Sequence, residues 1–93
     1  MRLSEEERNL LKQTVRKIDK EADLFLFGSR TDDDARGGDI DLLVVSKRFD
    51  RKDVRRLRVA FYEKFGEQKI DVVVDDGNPS PFIELIRSKV VPL

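Results

Sequence analysis

The chain has no cysteine. Disulfides, thiolate zinc sites and cysteine nucleophiles are therefore excluded. It has no histidine either, which removes the usual general base near neutral pH and the commonest transition-metal ligand. Any catalysis has to run on carboxylates, hydroxyls, lysine or arginine. Charge of one sign is also missing, because 19 basic residues balance 19 acidic ones. No global field draws the protein to nucleic acid or to an anionic membrane. No apolar run approaches the ~18 residues of a membrane span, and the opening "MRLSEEERN" lacks the form of a signal peptide. A cytoplasmic location is the expectation.

What remains is short and highly charged. Ninety-three residues, 41% of them charged and 39% hydrophobic, suit one small domain spanning 1–93. A chain of this length buries roughly 60–65% of the surface its unfolded form exposes. That is one modest core, with no room for a second domain.

The hydrophobic pattern divides the chain into six elements. Ser4 and Glu7 have the form of a capping box, and Leu11, Val15, Ile18 and Ala22 then recur at helical spacing. "DLFLF" (23–27), closed by Gly28, reads as a strand. "SRTDDDARGG" is loop, and "DIDLLVVS" (39–46) is a strand apolar on both faces after Asp41, suited to the middle of a covered sheet. A second helix starts at Asp50, buries Val54, Leu57, Phe61 and Phe65, and stops at Gly66. "KIDVVVD" (69–75) is the third strand, with Asp75 and Asp76 leading into a turn. Ser80 and Pro81 open a short last helix with Phe82, Ile83 and Ile86 facing inward. The tail "VVPL" fits a brief edge strand or a disordered end. The order α-β-β-α-β-α predicts a small α/β (α+β) layer with a mixed three-stranded sheet, or four strands if the tail pairs.

Topology gathers the acids. A short first connection makes strands one and two antiparallel neighbours, and a helical second connection makes strands two and three parallel. Gly28, Ser29, Asp39, Asp41 and Asp71 would then meet at one end of the sheet. Asp39 and Asp41, two apart on a strand, share a face with Cα atoms about 6.5–7 Å apart. Two divalent ions in a phosphoryl-transfer site lie about 3.5–4 Å apart, so carboxylates at this spacing can converge on such a pair. Without metal the cluster is costly, since carboxylates about 5 Å apart repel by roughly 3 kcal/mol at an effective dielectric of 20. Taken alone, two acids at a strand start are more simply solvated surface groups. Gly-Ser before them and Asp71 after them tip the balance to a metal site. Asp32, Asp33 and Asp34 read as solvated loop. The five basic residues of "RKDVRRLR" (51–58) read as a solvated helix face that could steer an acidic partner. Without interleaved aromatics they do not point to direct nucleic-acid binding.

"GSRTDDDARGGDIDLLV" resembles the Gly-Ser…Asp-x-Asp signature of the DNA polymerase beta nucleotidyltransferase superfamily. More narrowly, the Gly-Ser-Arg opening, "KIDVV" and the ending "IELIRSKVV" are similar to the minimal nucleotidyltransferases, the MNT proteins. The resemblance covers nearly the whole chain and implies a polymerase-beta-like nucleotidyltransferase fold. Asp39, Asp41 and Asp71 would bind two Mg²⁺ ions (Mn²⁺ as an alternative), with Asp71 also helping to take the proton from an attacking hydroxyl. Gly28 would let the backbone approach the phosphates, Ser29 would donate to them, and Arg30 would offset charge on the triphosphate. The implied reaction moves a nucleoside monophosphate, AMP from ATP, to a hydroxyl with release of pyrophosphate. MNT proteins pair with helical HEPN toxins, so the resemblance also implies an antitoxin that modifies a tyrosine of a HEPN partner. The alternative is a non-catalytic module that neutralises or assembles with a helical partner by contact. The nine residues between Ser29 and Asp39, one fewer than is usual in the family, favour that alternative. The intact Asp39, Asp41 and Asp71 favour the enzyme.

Overall fold

The structure is a computed structural model and describes residues 3–27, 40–78 and 80–93. Helix α1 (Glu5–Ile18) starts where the Ser4 hydroxyl accepts the Glu7 amide and the Glu7 carboxylate accepts the Ser4 amide. It stops at Asp19, before Ala22, which the sequence pattern had included in the helical stripe. The reason is a long-range contact. The Asp19 carboxylate accepts the Ser46 hydroxyl at 2.6 Å and the Glu21 amide at 3.0 Å, which turns the chain out of the helix. Ala22 is still buried, but from the connection to the sheet.

Strands β1 (Asp23–Phe27) and β2 (Ile40–Val45) pair antiparallel, and β3 (Ile70–Asp75) joins β2 in parallel. Helix α2 (Arg51–Phe65) forms the crossover between them. Its own capping box joins Asp50 and Asp53, and it ends at Gly66, whose φ of 87° is the left-handed conformation that glycine adopts without strain. Helix α3 (Pro81–Ile86) runs into a 3-10 turn (Arg87–Lys89). The tail forms a fourth strand, β4 (Val91–Pro92), antiparallel to β1. Proline is tolerated there because the strand lies at an edge. The sheet order is β3-β2-β1-β4, so the expected element order acquires a fourth strand.

The two faces of the sheet have different covers. Leu24, Leu26, Ile40, Leu42, Val44 and Ile70 form the main core with Leu11 and Val15 of α1 and Leu57 and Phe61 of α2. On the opposite face Phe27 and Leu43 pack with Ile83 of α3, flanked by Phe25, Val73 and Ile86. Strand β2, central and covered on both faces, buries Leu42, Leu43 and Val44 together, as its apolar run requires. Two expectations fail. Phe82 does not face inward but is 49% exposed, because Ile83 takes the inward position on a helix too short to bury both. Asp75 is not a solvated turn acid but the buried end of the expected third strand, 2% exposed. Its carboxylate accepts the Gly77 amide at 3.0 Å and meets the Arg87 guanidinium at 3.3 Å. Among the described residues no helix is long and apolar enough to cross a membrane.

Candidate active site

Sheet register brings the site together. Asp41 pairs with Asp71 across the parallel strands and with Phe27 across the antiparallel ones. Directly paired residues project to the same side of a sheet, so Phe27, Asp41 and Asp71 form one transverse row. The next rows on this face are Phe25, Leu43 and Val73, then Asp23, Val45 and Asp75. The Asp41–Asp71 row lies where β2 and β3 begin and β1 ends. The parallel ladder opens there with the Ile40 amide donating to the Lys69 carbonyl at 3.0 Å. Arg58 closes the corner by donating from Nε to the Ile70 carbonyl at 2.9 Å. Arg58 is thus half-buried and tied to the sheet, unlike Arg51, Lys52, Arg55 and Arg56, so the solvated basic face of α2 holds four of the five expected cations.

Neighbouring strands lie about 4.8 Å apart, which sets the separation of the Asp41 and Asp71 backbones. Both residues are half-buried. Two carboxylates at that spacing repel, although solvent contact reduces the penalty well below the dry-interior value. All-oxygen, doubly negative donors on a rigid sheet suit a hard cation with Mg–O bonds of about 2.1 Å. The chemistry of this pair therefore fits a hard cation such as Mg²⁺, and Asp41 and Asp71 are the described residues that would hold it. Asp39, the third expected ligand, and Gly28, Ser29 and Arg30, the expected nucleotide-binding residues, lie outside the described residues, as do Asp32, Asp33 and Asp34. Among the described residues no group of three or more acids gathers that could hold a metal ion.

A cavity of about 570 Å³ opens at the other end of β2 and β3, lined by Ser46, Lys47, Arg48, Asp75 and Arg87 among others. It is separated from Asp41 and Asp71 by the length of both strands, and its acids and bases are interspersed. The ion pair beside it, between buried Asp75 and exposed Arg87, has no signal in the sequence. The two residues are twelve apart in the chain, and nothing in the local pattern announces their contact.

The chain matches the model of a protein family described as a nucleotidyltransferase domain, over residues 8–91. It belongs to that family, its general chemistry is nucleotidyl transfer, and its α+β architecture is the polymerase-beta-like nucleotidyltransferase fold. No curated protein sequence matches it.

Proposed function

We propose that this chain is a Mg²⁺-dependent adenylyltransferase that moves AMP from ATP to a hydroxyl on a second protein, a tyrosine of a HEPN-type helical toxin, and so acts as its antitoxin. The observation that carries the reading is the in-register pairing of Asp41 with Asp71 on one face of the sheet, in a chain of the nucleotidyltransferase family. The MNT resemblance supplies the acceptor.

The acceptor oxygen attacks the α-phosphorus of ATP in line. The bond from that phosphorus to the α,β-bridging oxygen breaks, and pyrophosphate leaves. The hydroxyl proton passes to the Asp71 carboxylate and on to solvent. Asp39, Asp41 and Asp71 would hold the Mg²⁺, and when bound it would offset the triphosphate charge and acidify the acceptor hydroxyl. Gly28, Ser29 and Arg30 receive the phosphates. The exposed cations Arg51, Lys52, Arg55 and Arg56 steer an acidic face of the partner.

The test mixes the protein, a HEPN-type partner, Mg²⁺ and ATP labelled in the α-phosphate. Label on the partner that is lost in Asp41→Asn is the expected result. The shortened loop from Arg30 to Gly38 favours a second reading, a module that neutralises by contact. A tight complex without label, equally tight for Asp41→Asn, selects that reading.

A further inference from the structure

Helix α3 crosses the sheet in a definite direction. Its second residue, Phe82, lies edge-to-face on Phe27, with ring centroids 6.1 Å apart and planes at 70°. Arg87, just past its end, meets Asp75. Phe27 ends β1 beside Asp41, whereas Asp75 ends β3 at the far side of the sheet. The helix therefore starts at the carboxylate end, and its first aromatic ring is set one side chain away from Asp41. Phe27 itself is buried at 8% exposure. Its edge-to-face contact, a preferred aromatic geometry, fixes the position of a neighbour that is 49% exposed.

We infer that Phe82 is the platform on which the base of the nucleotide stacks, and that it gives the site a preference for purines. The inference rests on the nucleotidyl-transfer reading and names the substrate contact that reading leaves open. Its logic is placement. Asp41 and Asp71 fix where the phosphates go, through the cation they hold. A base tethered to those phosphates through one ribose comes to rest within reach of the sheet end. A half-exposed ring clamped there offers a flat apolar face to a flat partner. Burying that face against a base relieves its exposure to water, and a purine covers more of it than a pyrimidine. Leu85, three residues further along α3, is 73% exposed and serves as the neighbouring apolar control.

Calorimetry with Mg-ATP, Mg-CTP and Mg-tripolyphosphate tests this on the full chain. Tripolyphosphate carries the charge of the nucleotide without its base. Alanine at a base-stacking aromatic weakens binding by about 5- to 150-fold. Phe82→Ala is expected to lose ATP affinity by that factor, to bind tripolyphosphate like the wild type, and to lose the preference for ATP over CTP. Phe82→Trp is expected to keep all three properties, and Leu85→Ala to behave as wild type. The inference is overturned if Phe82→Ala binds ATP as the wild type does, or if ATP and tripolyphosphate weaken equally, which would mark a structural effect. It is also overturned if the wild type binds ATP no more tightly than tripolyphosphate. Failure of the wild type to bind either ligand overturns the nucleotidyl-transfer reading itself, and this inference with it.

Discussion

Asp41 and Asp71 stand opposite one another across two parallel strands, on the face of the sheet that α3 covers. Two like charges in register are a poor choice for stability and a good one for holding a cation. Asp41→Asn keeps the shape and removes one of the two charges. The variant is expected to stay within about 1 kcal/mol of wild-type stability while losing stabilisation by Mg-ATP. A ligand at 100 times its Kd stabilises by about 2.7 kcal/mol, which for a domain of this size raises Tm by roughly 10–20 °C. Thermal denaturation with Mg-ATP, with ATP and EDTA, and without ligand checks it. A rise of equal size in wild type and variant would show that Asp41 holds no metal.

Helix α3 supplies the second prediction. Ile83 is 3% exposed against Phe27 and Leu43, and Leu85 is 73% exposed. Ile83→Ala removes buried methyl groups and leaves a cavity, at an expected cost of about 2–4 kcal/mol. Leu85→Ala should change stability by less than about 0.5 kcal/mol. Urea denaturation of both variants separates them. Comparable losses would mean that the helix presents a different face to the sheet.

How much was legible in the sequence depended on whether the cause was local. The Asp-Ile-Asp spacing, the short first connection and the helical second one place Asp41 and Asp71 side by side, because strand period and crossover handedness are general rules. Both N-caps of the long helices were readable, since their partners lie three residues away. The misreadings have long-range or marginal causes. Helix α1 ends early because Asp19 reaches Ser46, 27 residues distant. The outward position of Phe82 is not legible because a six-residue helix has too few turns to define a stripe. The burial of Asp75 is not legible in the sequence because its partner Arg87 arrives only after α3 has crossed the sheet.

The Asp75–Arg87 pair has unequal members. The carboxylate is buried, with 3% of its side chain exposed, while the guanidinium is 57% exposed. Removing one member of a fully buried pair costs about 3–5 kcal/mol. Water reaches this site through Arg87, and Asp75 keeps the Gly77 amide, so Arg87→Ala should cost a smaller amount, about 1–2 kcal/mol. In the Asp75→Asn background the same change should cost much less, because no unpaired charge is left behind. A double-mutant cycle by urea denaturation measures the difference, and equal costs in both backgrounds would remove the ion pair as the cause.

The Asp19 contact makes stability depend on pH in a known direction. The Ser46 hydroxyl, donating at 2.6 Å, is the main cause that holds the Asp19 carboxyl below its ordinary value. The Glu21 amide and the positive charge of Arg48 act in the same sense, against partial desolvation. A carboxylate whose pKa is depressed by folding binds fewer protons in the native state than in the unfolded one. Its stabilisation is therefore fully present above the unfolded value near 3.8 and is lost as the pH falls through the lower native value. Ser46→Ala removes the leading donor, so the pKa of Asp19 should rise towards the ordinary value. Ser46 also accepts the Arg48 and Phe49 amides through the same oxygen, so the variant loses stability at neutral pH as well. The distinguishing quantity is the slope of stability against pH, which below pH 4 should be shallower in Ser46→Ala than in the wild type. Carboxyl-carbon NMR titration of Asp19 in both proteins gives the shift directly. An unchanged Asp19 titration in Ser46→Ala would show that the hydroxyl does not set it.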